Sequence, residues 1–291
     1  MKKLKNSDNA VVGIVAAFLI VGLVVTVLSV IQTQYVPKWM EERESDHMNE
    51  VENQFTQLKY ALDIQSIVNE TTAVSTSISL GNKEMSFFNA GRTFDTLSTV
   101  PESCKIQINY TDYLTGDTLS KTYKTDAIKY SSNNYYFVNQ NFVYEAGSLI
   151  LCQDNNNVLI GRPHLVVTKP IDRKNISIVF VNISGVEGKM SSTGFGSYDI
   201  YTQVMDSNMT YKKFSNVSTI TIETEYTNAW NTSFSRSFRQ LELPINYGAD
   251  TISPNKLVIT FYKDVLGDYY YDLYIREVKI KAEIGYGLSN S

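Results

Sequence analysis

The chain has two histidines, and most acid–base or metal chemistry near neutral pH would have to start from them. His47 falls on what reads as the polar side of a helix, and His164 follows Arg162-Pro163 in a turn. No His-Glu-x-x-His, Cys-x-x-Cys or Gly-x-Ser-x-Gly occurs, so zinc-protease and serine-hydrolase chemistry lack their minimum parts. The carboxylate groupings are Glu223 with Glu225, and Asp264 with Asp268 and Asp272. Two carboxylates within about 5–10 Å would suit glycoside hydrolysis. Here they lie in or beside strand-like segments and read as solvent-facing strand residues. The loop 153–157 (QDNNN) carries oxygen ligands but lacks the Gly and the later Glu of an EF-hand, and reads as a turn. The expectation is a protein that is not an enzyme, with no catalytic, cofactor-binding or metal-binding residues.

Two residue types point to the compartment instead. Cys104 and Cys152, the only cysteines, either pair as a disulfide in an oxidising environment or sit apart as small buried hydrophobes. Asn69, Asn109, Asn175, Asn182, Asn208, Asn216 and Asn231 each begin an Asn-x-Ser/Thr triplet, the acceptor pattern for N-glycosylation. A net charge of -4 and the lack of a basic stripe argue against a nucleic-acid partner.

These residues hang on a chain with a conspicuous start. Residues 10–31 (AVVGIVAAFLIVGLVVTVLSVI) carry no charge. About 20 apolar residues in a helix suffice to cross a bilayer core. Lys2, Lys3 and Lys5 precede the run, and a mostly acidic segment with Glu41, Glu42, Glu44, Asp46, Glu50 and Glu52 follows it. The positive-inside rule puts residues 1–9 in the cytoplasm and everything after the run outside. A secretory signal would have an apolar core of about 7–15 residues and a small-residue cleavage site behind it, so the run reads as a retained single-pass anchor.

Residues 32–71 read as a helical stalk. Met48, Val51, Phe55, Leu58 and Leu62 alternate steps of three and four, which makes one apolar stripe that must meet either the head or a neighbouring stalk. Pro37 predicts a kink or short break, and Tyr35 and Trp39 fall at headgroup level. From residue 72 to 291, period-two segments dominate: 105–110, 118–123, 135–138, 142–144, 148–152, 158–160, 165–168, 176–183, 198–204, 217–224, 257–262, 269–275 and 277–284. One stretch departs from this pattern. Trp230, Phe234, Phe238 and Leu241 predict a short amphipathic helix capped by Asn228. The fold class is therefore α+β, mainly β: a long N-terminal helix and an antiparallel, sandwich-like head with one short helix, divisible near residue 170. Tyr135-Tyr136 and Tyr269-Tyr270-Tyr271 exceed the needs of one core, so some of these rings belong at the surface.

The stretch Asp8-Asn9-Ala10-Val11-Val12-Gly13-Ile14-Val15 resembles the start of archaeal type IV pilin-like proteins, in which a short basic leader and an Asp-x-Ala-Val motif precede a long apolar helix. The resemblance covers about residues 6–40. It implies a prepilin peptidase acting at Ala10 and Val11, and other pilin-like subunits as partners. Together with the topology it suggests a membrane-anchored surface glycoprotein, structural or adhesive in role, such as a minor pilus subunit. The competing reading is an anchored solute-binding or hydrolytic ectodomain delivered by a pilin-like N-terminus.

Overall fold

The computed structural model describes residues 7–68, 71–81, 93–112, 114–154, 156–168, 174–206, 210–239, 247–262 and 271–285. The chain opens with α1 (Ser7–Val30) and α2 (Val36–Val68), joined without a break by a π-helical turn, Ile31–Tyr35. The Val36 N–H reaches back five residues to the Ile31 carbonyl. Pro37 explains the turn, because its ring would clash with the Thr33 carbonyl in a regular α-helix and the wider turn relieves this. The break expected at Pro37 is thus absorbed rather than made.

Fifteen strands follow among the described residues, and about half of those residues, 51%, are strand. They are β1 (Val74–Leu80), β2 (Asp95–Thr111), β3 (Thr118–Ser131), β4 (Gln140–Glu145), β5 (Ser148–Gln153), β6 (Asn156–Gly161), β7 (Leu165–Thr168) and β8 (Lys174–Gly185). Then come β9 (Ser191–Gly194), β10 (Gly196–Asp206), β11 (Lys212–Phe214) and β12 (Val217–Glu223). A helix, α3 (Thr227–Arg239), precedes β13 (Tyr247–Ser253), β14 (Lys256–Phe261) and β15 (Tyr271–Ile284). The order along the main sheet is β1-β10-β15-β8-β3-β2-β12-β14-β13, with β4, β5 and β6 continuing from β3. Pairing is antiparallel except between β8 and β15. The β3–β8 link is a single bridge, Asp126 to Ile183, which joins two blocks of strands.

β8 shows how the cores are divided. Val179, Val181 and Ile183 point into one core, and Ile176, Ile178 and Phe180 into the other. A strand buried on both faces reads as a near-continuous apolar run, which is what 176–183 is. The first core is filled by the stripe of α2, whose Val51, Phe55, Leu58 and Leu62 are fully buried against β1, β3, β4 and β8. The stripe therefore meets the head, and from Val36 onward the helix is built into the head rather than standing clear of it. The second core holds α3, with Trp230, Phe234 and Phe238 at its centre. Leu241 and the proposed division near 170 lie outside the described residues. The α3 N-terminus is not capped by Asn228; Asn157, at the start of β6, accepts the Ala229 N–H at 2.9 Å. Two further expectations are corrected. Residues 135–138 are irregular rather than a strand, and 271–284 is one strand where two were expected.

Candidate functional site

The helix–head junction is the first place where the fold positions side chains for a task. Between Val12 and Val30 the helix is exposed on every side: Phe18 is 73% exposed and Leu19 70%. The hydroxyls of Thr26, Ser29 and Thr33 each donate to the carbonyl four residues back. Such back-bonding leaves no polar group to be satisfied from outside, which suits a hydrocarbon environment. The helix is long and apolar enough to cross a membrane by length and composition. Ala10 and Val11, the residues of the implied processing position, lie in α1. Six residues past Val30 the surroundings change abruptly. Val36 and Met40 are buried, while Tyr35 and Trp39 remain exposed with ring centroids 5.8 Å apart.

Just beyond, α2 places two polar residues in the head's interior. Glu44 is fully buried. Its carboxylate accepts the backbone N–H groups of Tyr135 at 3.1 Å, Tyr136 at 2.7 Å and Phe137 at 2.6 Å. These bonds replace the strand ladder that 135–138 lacks. His47, expected on a polar face, is likewise buried. Its Nε2 lies 3.1 Å from the Tyr130 hydroxyl and 3.3 Å from Asp95 Oδ2. Tyr130 donates to that same Asp95 oxygen, as does the Gly81 N–H at 2.7 Å, and the Asn133 N–H donates to Oδ1 at 2.8 Å. Burial alone would raise the Asp95 carboxyl, but the hydrogen bonds from His47, Tyr130, Asn133 and Gly81 outweigh it and hold the group below its ordinary 3.8. Burial and the Asp95 charge together raise the Tyr130 phenol. Both Asp95 oxygens are committed to structural donors. The cluster is a tether that fixes α2 to β2 and β3.

Glu145 forms the second buried polar cluster. A two-residue turn with Ala146 and Gly147 at positive φ (48° and 88°) ends β4 and turns Glu145 inward. Ser103 donates to it at 2.6 Å, Thr224 at 2.8 Å and the Trp230 indole at 2.8 Å. Burial pushes its carboxyl up to about 7, against the pull of those donors. Four separate segments are sewn together here: the bulge of β2, the β4–β5 turn, the end of β12 and α3.

The residues singled out from sequence are scattered. Cys104 and Cys152 are free thiols and do not form the disulfide considered above. The order β2-β3-β4-β5 puts three strand spacings between them, about 14 Å, where a disulfide needs Cα atoms within about 7 Å. Burial raises both thiols, Cys152 to about 11, so neither is an activated nucleophile. His164 sits in its turn, 3.3 Å from Asp63, which also pairs with Lys59 on α2. Glu223 and Glu225 are exposed, and Glu223 lies 3.5 Å from Lys256. Asp272 is buried rather than solvent-facing, 3.0 Å from Lys213. Asp264 and Asp268 lie outside the described residues. Asp154 takes φ 53°, the left-handed turn geometry expected of that loop. Among the described residues no group of three or more His, Cys, Asp or Glu is arranged to hold a metal ion.

Of the glycosylation triplets, Asn109 and Asn182 use their amide nitrogens across strands, on Thr219 at 2.8 Å and Glu277 at 2.7 Å. Asn175 lies in β8 and Asn231 in α3, both half-buried, and Asn216 is half-buried at positive φ. Asn69 and Asn208 fall outside the described residues. Glu44, His47, Asp95 and Glu145 were all missed as interior groups. A signal existed for two of them: stepping back from Val51 by four, three and four lands on His47, Glu44 and Met40.

No curated protein and no solved structure matches the chain. A protein-family model described as a family of unknown function, DUF7289, matches residues 9–251. That span takes in the exposed helix, the buried helix and most of the strands, and the chain belongs to the DUF7289 family.

Proposed function

We propose that this protein is a membrane-anchored, pilin-like cell-surface protein whose β-rich head serves a structural or adhesive role outside the cell, as a minor pilus subunit would. The observation that carries the reading is one continuous helix with two characters: apolar and exposed over 12–30, then striped and locked into a β head from Val36 on. The lysines before the run and the acidic segment after it support a cytoplasmic N-terminus and an external head. The Asp-x-Ala-Val start supports the pilin-like reading and the archaeal comparison.

The test is external protease on intact cells expressing the full chain with an N-terminal tag. Loss of the head with protection of the tag is expected, and a protected head overturns the orientation and the surface role. Electron microscopy of surface fractions labelled on the head then separates filaments from a uniform coat. Filaments support a pilus subunit; a uniform coat overturns that part and leaves an unpolymerised surface protein.

A further inference from the structure

We propose that the free edge of β1 and the polar side of α2 form a docking groove for an extended, basic segment of a partner protein, which adds a strand to the sheet there. Among the described residues β1 ends the main sheet and pairs with β10 alone. Its register with β10 runs unbroken from Val74 to Leu80. Proteins commonly blunt such an edge with a charge, a proline or a bulge. Residues 74–80 (VSTSISL) have none of the three. The phase of the pairing decides which backbone groups are left over, because alternate residues of an antiparallel pair turn N–H and C=O toward the neighbour or away from it. Ser79 turns away: its N–H donates to Gln54 Oε1 at 2.8 Å. Asp199, opposite Ser77, agrees, since its carbonyl accepts the Gly285 N–H from the β15 side at 3.1 Å. Ser75 and Ser77 therefore turn their N–H and C=O groups outward, and both residues are exposed. Four backbone groups stand there at strand spacing, and an extended peptide is the ligand that matches all four.

α2 walls this edge. Gln65 donates to the carbonyl of Thr202, the partner of Val74, and Gln54 holds Ser79, so helix and strand run side by side. Helix from Gln54 to Gln65 and strand from Val74 to Ser79 both span about 16 Å. The groove between them, about 810 Å³, is lined on the helix side by Asp46, Asn49, Glu50, Asn53, Gln57 and Ala61. Two carboxylates and no lysine or arginine line it, which favours a segment carrying Lys or Arg. Side chains alternate along a strand, so every second residue of the partner faces α2 and is the position for the basic one. Gln54, whose amide already stands in for a strand at Ser79, closes one end. Pairing with β1 of a second copy would set these carboxylates against themselves. Asp46 lies fifteen residues past Ile31, about 22 Å of helix, so a head anchored as proposed above still presents the groove to solvent. The groove itself lies within the head and does not depend on the anchor.

The experiment uses the full chain in phosphatidylcholine nanodiscs and a displayed library of random octapeptides. Recovered peptides should carry Lys or Arg at every second position, and their binding should slow hydrogen exchange at the Ser75 and Ser77 amides. Ser77→Pro removes an outward N–H while leaving the β10 ladder its own bonds, and should weaken binding about tenfold. Asp46→Asn with Glu50→Gln, which retains the oxygen that Ser79 and Gln54 donate to, should weaken it about fivefold and flatten its salt dependence. Failure to recover any peptide overturns the proposal, as do bound peptides that leave the two amides exchanging freely or that carry no basic residue. Slow exchange at both amides in dilute protein without peptide means that the edge is already covered, and overturns it too. Exchange that slows only as the protein concentration rises means that a second copy fills the groove, which overturns the proposal in favour of self-association.

Discussion

Phe18 and Phe55 are the same residue type on one continuous helix, and they meet opposite surroundings: the first is 73% exposed and the second is fully buried between Tyr130 and Phe142. The difference lies in the residues around them. Phe18 stands in a segment that is apolar on every side, so no face is distinguished. Phe55 stands in a segment with one apolar stripe and polar residues elsewhere, so a sheet can cover the stripe while water keeps the rest. One helix thereby has two characters, apolar on every side below and striped against a β core above, and the boundary falls within the few residues of the π-helical turn.

The largest effect that tests this comparison is Phe55→Ala. Emptying the centre of the first core should cost about 3–5 kcal/mol, read as a lower denaturation midpoint of the detergent-solubilised full chain. A loss no larger than that from Phe18→Ala would end the distinction between the two halves.

The second prediction concerns pH, because residues 10–31 hold no titratable side chain and the head does. Glu145, with its carboxyl raised to about 7 from an ordinary 4.5, binds its proton more tightly when folded. Its contribution, of order 3 kcal/mol, is complete below pH 4.5 and lost as pH rises through about 7. Asp95 works in the opposite sense and in another window: held below its ordinary 3.8, it stabilises above that pH and ceases to in stronger acid. Head stability should therefore fall between pH 4.5 and 7, and Glu145→Gln should flatten that slope. A wild-type profile that rises over this range would contradict the assignment.

A smaller effect is expected at the junction. Glu44→Ala leaves three backbone N–H groups without their acceptor, at about 1–3 kcal/mol once the loop relaxes toward water. Hydrogen exchange should then quicken at Tyr135, Tyr136 and Phe137 while the strands stay protected. Smallest of all is Phe18→Ala, expected to change head stability by less than about 0.5 kcal/mol. Its consequence should show instead in weaker retention by vesicles in a flotation assay.

The sequence by itself determined the parts governed by local periodicity. The uncharged helical run, the three-four stripe through Leu62, most of the alternating strands and the Trp230–Phe234–Phe238 face appear in the structure as read, because which face of an element is apolar is written within a dozen residues; 135–138 and the single strand 271–284 are the exceptions. Only the tertiary structure decided what the polar groups meet. His47 finds Asp95 and Tyr130 at separations of 48 and 83 residues, and Glu44 finds the loop amides more than 90 residues away. Glu145 is enclosed by donors brought from β2, β12 and α3. A buried carboxylate and a solvent-facing one look alike in sequence; what separates them is whether distant segments converge with enough N–H and O–H donors to replace water.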